Sequence, residues 1–272
     1  MPSLTQATMP PAFPLAWASE WGEDGCGLWQ AFTFKDVRYV LRWIPPGTFW
    51  MGSPEDEPGR FDNETRHRVT LTQGFWLGQT AVPQALWLAV MGENPSHFKG
   101  EDLPVEEVSW DDCQAFLQRL NQFDDGLDLC LPTEAQWEYA CRAGTETPFH
   151  FGTSITTDQV NYNGRFPLEG SPKGKDRGKT VPVDALPGNA WGLQQMHGNV
   201  WEWCQDYLAS YAVGDQVDPG GPGSGTIRVL RGGSWFNVGR DCRSANRYGN
   251  APGYRIRSIG FRLARGPLRS ST

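Results

Sequence analysis

The chain reads as an α+β domain rich in loops, with about three helices and few regular strands. Three observations predict this. Two capping boxes and an apolar run closed by Gly92 mark helices in the first half, and short alternating runs mark strands near both ends. The 13 Trp, 32 Gly and 21 Pro among 272 residues supply large rings and turns where long elements are missing. A hydrophobic fraction of 39%, a charged fraction of 20% and a mean hydropathy of -0.51 suit a globular chain. No stretch approaches the ~20 apolar residues that cross a bilayer, so a membrane partner is not expected.

Taken in order, residues 1–27 are rich in Pro and Ala and read as an N-terminal extension, with order expected from Leu28. Val37–Ile44 alternates as a strand, and Pro45-Pro46-Gly47 is expected to fold it into a hairpin with Thr48–Met51. A polar loop follows, then short strands at His67–Leu71 and Phe75–Leu77. The first helix runs from Gln84 toward Gly92, with Pro83 tolerated in its first turn. Ser109-Trp-Asp-Asp112 opens the second helix, which places Trp110, Cys113, Phe116, Leu117 and Leu120 on one face. Thr133-Glu-Ala-Gln136 opens the third, which closes at Gly144. Some eighty residues without regular period come next, and there Trp191, Trp201 and Trp203, with Trp235 beyond them, are expected to pack the loops, each burying ~150–250 Å2. Arg228–Arg231 and Ile259–Ala264 are the last strands, and 266–272 is a tail.

The formal charge of -7 conceals an asymmetry. From Thr226 to Thr272 there are ten Arg and one acid, so this end carries +9 and the first 225 residues carry -16. The basic end contains no Lys and belongs to a chain of pI about 5.2, which argues against nucleic acid as a partner. Planar guanidinium forks pairing with an acidic body explain it better. The six Cys and four His show no CxxC, HxxxH or HExxH spacing, hence no zinc signature. No leader is legible at the N-terminus, so the expected location is cytoplasmic, with the thiols reduced.

Five landmarks carry a resemblance. Arg42-Trp-Ile-Pro-Pro-Gly-Thr-Phe-Trp-Met-Gly-Ser53, Leu131-Pro-Thr-Glu-Ala-Gln-Trp-Glu-Tyr-Ala140, Gln195-Met-His-Gly-Asn-Val-Trp-Glu-Trp203, Arg231-Gly-Gly-Ser-Trp235 and Ile259-Gly-Phe-Arg262 resemble the formylglycine-generating enzyme, or sulfatase-modifying factor, family, in the family's order. The resemblance implies a C-type-lectin-like fold over residues 28–265. Its oxidising enzymes use two cysteines five positions apart after the Gly-Gly-Ser motif, whereas Phe236-Asn-Val-Gly-Arg-Asp-Cys-Arg243 offers Cys242 alone. No catalytic residue is therefore assigned, and no cofactor is required. The enzymes' structural calcium would map onto Gln195, Gly198, Val200 and Glu202.

The segment 228–262 is most similar to the variable proteins of diversity-generating retroelements, whose C-terminal codons are rewritten at adenines. This implies ligand-binding positions at Phe236, Asn237, Val238, Asp241, Tyr248, Gly249, Asn250, Ala251, Tyr254, Ile256, Arg257 and Ser258. The fixed frame would be Trp235, Arg243, Asn246, Arg247, Arg255 and Arg262. Adenine-directed change of Asn codons at their first two positions cannot yield Lys, Glu, Gln, Met or Trp, and none of these occurs from Phe236 to Ser258. The expected function is non-catalytic binding of a protein or other macromolecular ligand. The alternatives are a formylglycine-generating-type oxidase and a lectin-like regulatory module of a signalling system.

Overall fold

The computed structural model describes residues 8–266; residues 1–7 and 267–272, parts of the expected extension and tail, lie outside the described residues. Among the described residues twelve strands fall into three sheets, with three α-helices packed among them. The chain opens with β1 (Glu20–Asp24), β2 (Gly27–Phe34) and β3 (Val37–Ile44), joined as a meander. The β2–β3 turn is Lys35-Asp36 with φ of 44° and 66°, a two-residue turn that follows the strands' right-handed twist. Glycine or asparagine would have advertised this turn; Lys-Asp does not. Order also begins well before Leu28. Trp17 is buried in the main core, and Phe13 and Leu15 pack against it, so the apolar residues of the supposed lead-in belong to the domain.

The expected hairpin after β3 does not form. Pro45 and Pro46 have no N–H to give to a ladder, so the chain continues extended and changes sheet. β4 (Gly47–Met51) pairs with β5 (His67–Leu71), while β3 pairs with β6 (Phe75–Gly78). The three expected helices are present as α1 (Gln84–Met91), α2 (Trp110–Asn121) and α3 (Glu134–Arg142), the last two opened by the predicted capping boxes. Gly92 ends α1 at φ 88°, a left-handed cap. Cys113, Phe116, Leu117 and Leu120 of α2 are buried, and Trp110 sits at the rim, where it stacks on the Arg228 guanidinium at 3.8 Å.

The long stretch after α3 is less irregular than its composition implies. Within it β7 (Trp201–Tyr207) is an inner strand of the sheet β10-β9-β7-β11, completed by β9 (Arg228–Arg231), β10 (Arg247–Asn250) and β11 (Ile259–Phe261). β11 lies parallel to β7, in register from Ile259 against Trp201. β8 (Gln216–Val217) extends the β4–β5 sheet, and β12 (Ala264–Arg265) returns to β6, so the start and end of the domain share one sheet. The core beneath centres on Trp76, Trp87, Phe116, Trp203 and Phe261, with Trp87 stacked on Phe116 at 5.2 Å. Ser109→Ala removes the acceptor for the Asp112 N–H and should cost about 1 kcal/mol by denaturant unfolding, with unchanged slope.

Candidate functional site: an arginine-framed surface

The C-terminal segment is held to the body by buried ion pairs. Arg243 donates to Glu57 at 2.6 Å and to both oxygens of Glu64 at 2.8 and 2.6 Å. Arg247 grips Glu134 bidentately at 2.8 and 2.6 Å and also donates to the Ala209 and Asn63 carbonyls. Arg262 does the same to Glu202 at 3.0 and 2.8 Å, with further bonds to the Gly78, Gln79 and Gln194 carbonyls. A fourth, Arg231, pairs with Glu138 and reaches the Ala245 and Asn246 carbonyls. The -Arg-Gly-Gly-Ser- motif contains this residue, but a strand reading gave no reason to count it in the frame. Asn246 is buried too and donates to the Asp241 carbonyl at 2.6 Å. Arg255 differs: more than half its side chain is exposed, and its contact with Asp112 at 3.0 Å is a surface pair of little stabilising value.

Over this frame two indoles form a floor. Trp235 donates to the Arg257 carbonyl at 3.0 Å and Trp201 to Asn237 Oδ1 at 2.9 Å, and both rings are buried. Phe236 lies against Trp235 at 5.6 Å, Tyr248 against Trp201 at 5.5 Å, and the Arg257 guanidinium over Trp235 at 5.3 Å. Phe236, Tyr248, Tyr254 and Ile256 are among the exposed large apolar side chains, Phe236 at 65%. The 251–257 loop is tied to the body by its backbone, Asp111 N–H donating to Pro252 and Glu107 N–H to Ile256.

The twelve expected binding positions do not share one environment. Ala251 and Arg257 are exposed, and Val238 and Asn250 are half-buried. Ser258 is buried, its carbonyl accepting from Trp201 N–H at 2.8 Å, because β11 pairs there with β7. Gly249 faces inward; a Cβ would stand 2.7 Å from Ile227 and 2.8 Å from Leu208, so larger residues do not fit. Asn237 and Asp241 bond each other at 3.1 Å, and Asn237 also accepts from Ser234. These four act as structure rather than as display. One contributor was missed: Phe166, 59% exposed, on a loop bonded to the same segment through Asn163 N–H to Asn237 and Gly239 N–H to Phe166. Its sequence neighbourhood, a turn cluster, carries no signal of that proximity.

Of the positions expected to hold calcium, the two with side-chain oxygens are engaged by other partners. Both Glu202 oxygens are taken by Arg262, and Oε2 also receives Trp137 N–H at 2.7 Å. The Gln195 amide spans the Pro182 carbonyl and the Asn199 side chain. These residues do not fit a calcium cage, which needs free oxygens converging on one point. Cys242 is fully buried at the end of a 3-10 turn, and burial together with Asp241 raises its thiol far above its ordinary value. His197 receives His150 N–H at 3.1 Å and donates to the Cys242 carbonyl at 2.7 Å, which satisfies both ring nitrogens.

A loop-rich scaffold of this kind, with a lectin-like sheet carrying an arginine-framed end surface, defines a class rather than an activity. The chain belongs to the sulfatase-modifying factor family, since the profile of the Sulfatase-modifying factor enzyme 1-like domain matches residues 37–267. It is 36% identical over 203 residues to the formylglycine-generating enzyme of Mus musculus, covering 68% of this chain and 52% of that protein. It is 30% identical over 212 residues to the inactive C-alpha-formylglycine-generating enzyme 2 of Bos taurus, covering 75% of this chain and 64% of that protein. The chain thus spans about half the length of the mouse enzyme. Among solved structures, Treponema denticola variable protein 1 superposes with a TM-score of 0.76 at 30% identity, over 88% of this chain and 99% of that one.

Two measurements test the frame. Arg247→Ala strands a buried Glu134 and should cost ~3–5 kcal/mol, whereas Tyr248→Ala should stay within ~0.5 kcal/mol of the parent. Equal melting shifts would refute the distinction. Glu106, buried beneath the Phe98 that packs on Trp235, has an unpaired Oε2, and burial pushes its carboxyl up from 4.5 to about 7. An acid whose folded value is raised must take up a proton on folding, so its contribution falls as pH rises from 4.5 to about 7 and is level above. Melting curves of Glu106→Gln should therefore show a gain over the parent that is largest at pH 8 and absent at pH 4.

Proposed function

We propose that this protein is a non-catalytic binder whose surface around Phe236, Val238, Tyr248, Asn250, Ala251, Tyr254, Ile256 and Arg257 is diversified by a retroelement and engages a protein or other macromolecular ligand. The observation that carries the reading is the division of labour within residues 235–262. Positions in this segment either lock into buried ion pairs and indole hydrogen bonds or stand in solvent as Tyr, Phe, Ile and Arg, with Asn250 half-buried beside them. Rigid aromatic area with small adaptable polar groups is the composition of an evolved binding surface. The likeness to a variable protein along nearly that protein's whole length supports it. The oxidase alternative would need an accessible thiolate, and a buried thiol held protonated is a poor nucleophile and a poor soft-metal ligand.

A library tests the proposal. The eight positions are randomised with codons ending in C, and the members are selected against an arbitrary folded protein. Most members should keep melting temperatures within a few degrees of the parent, and selected ones should bind with dissociation constants in the micromolar range or below, about -8 kcal/mol or better. General unfolding of the library would refute the reading, as would turnover of a cysteine-containing peptide with copper and oxygen that Cys242→Ala abolishes.

A further inference from the structure

On the opposite side of β10 from Tyr248, a cavity of about 360 Å3 opens between the end of β7, the start of α3 and the 209–222 loop. Consecutive strand residues point to opposite faces, so Arg247 lines this cavity while Tyr248 stands on the display surface. The volume suits a small organic ligand. Met51, Ala135 and Pro219 supply apolar wall, and Asp206, Glu134, Arg247, His67, Tyr207 and Tyr211 are the charged or titratable groups within it.

Their hydrogen bonds show what the cavity lacks. Arg247 spends its Nε and both terminal nitrogens on Glu134, Asn63 and Ala209. Glu134 in turn gives both oxygens to Arg247 and accepts from the Tyr211 hydroxyl. That pair is internally neutral. His67 Nδ1 donates to the Thr65 carbonyl at 3.0 Å, and its ring packs on Tyr211. Asp206, 4% exposed, accepts the Glu134 backbone N–H on Oδ2 at 2.8 Å and its own backbone N–H, and has no ion pair among the described residues. Its other oxygen faces the Gly220-Gly221 turn. Gly221, at φ 69°, comes so close that a Cβ there would stand 2.9 Å from Asp206 Cβ. The cavity thus holds no unpaired cation, and of its two carboxylates Asp206 is the one without an ion pair, with apolar wall around it.

We infer that this cavity binds a small primary amine, its ammonium donating to Asp206 and its apolar body lying against Met51, Ala135 and Pro219. The inference stands apart from the display surface, since a macromolecule held at Phe236 and Tyr248 touches the other face of the sheet. It also makes a pH signature. Burial, then the Glu134 charge, push the Asp206 carboxyl up to about 7. Around it lie Glu134 of α3, Arg247 of β10, Arg228 of β9, Cys204 and Tyr207 of its own strand, His67 of β5 and Tyr211 of the loop. The ammonium favours the ionised carboxylate, so affinity should rise about tenfold between pH 6 and pH 8.

Benzylamine is titrated into the full chain and followed by NMR and calorimetry, with benzyl alcohol as the uncharged control. Benzylamine should saturate below about 10 mM, bind at least tenfold more tightly than the alcohol and tighten with pH as stated. Asp206→Asn should lose tenfold or more at pH 8 and flatten the profile. Ser210→Trp, at the exposed mouth, should abolish binding with an unchanged melting temperature, and it serves where Asp206→Asn fails to fold. No saturation at that concentration, equal binding of amine and alcohol, or binding undisturbed by Ser210→Trp would each overturn the inference.

Discussion

Pairing of buried guanidinium groups with buried carboxylates is the constraint on which the rest of the structure depends. Arg231, Arg243, Arg247 and Arg262 all come from the last part of the chain, and Glu57, Glu64, Glu134, Glu138 and Glu202 from the part before it. Burying either partner alone would be strongly unfavourable, and together they do little more than offset their own desolvation. Their value lies in placement. A charge that must find its counter-charge fixes the path of an otherwise irregular segment, which apolar packing alone would leave with several near-equivalent arrangements. The -16 body and +9 end are two halves of one set of bonds.

This division explains how a surface can tolerate change. Arg247 and Tyr248 are neighbours in β10, and so are Trp235 and Phe236 in the preceding turn; in each pair one member is buried and bonded while the other is exposed. Alternation converts adjacent codons into separate physical tasks. The indoles of Trp201 and Trp235 add a rigid platform whose polar N–H groups are spent on Asn237 Oδ1 and the Arg257 carbonyl, leaving ring area for the residues above.

Much of this was legible in the sequence, and the failures have physical causes. Capping boxes at Ser109 and Thr133 announce α2 and α3 because their signal is local. β7 was invisible because both of its faces are covered, so its buried residues, Glu202 and Asp206 among them, show no alternation of apolar and polar positions. The hairpin after β3 failed because Pro45-Pro46 was taken as a turn when it is a bridge between sheets. In the surface, Arg243 and Arg247 could be assigned to the frame from their setting, but Gly249 and Ser258 could not be removed from the display set without knowing what packs behind them. Calcium was expected from a motif whose carboxylate here serves an arginine.

The long reach of these ion pairs bears on how the molecule comes into being. Arg243 bonds a carboxylate 186 positions earlier, Arg247 one 113 positions earlier and Arg231 one 93 positions earlier. During vectorial synthesis Glu57, Glu64, Glu134 and Glu202 emerge long before their arginines, and a body closed over them in that interval would entomb four naked charges, whereas Glu138 already has Arg142 one helical turn on at 2.9 Å. Completion of the core is therefore deferred until the ribosome has delivered the final strands. The segment that carries the exposed aromatic residues is thus also the one whose arrival completes the ion pairs beneath them.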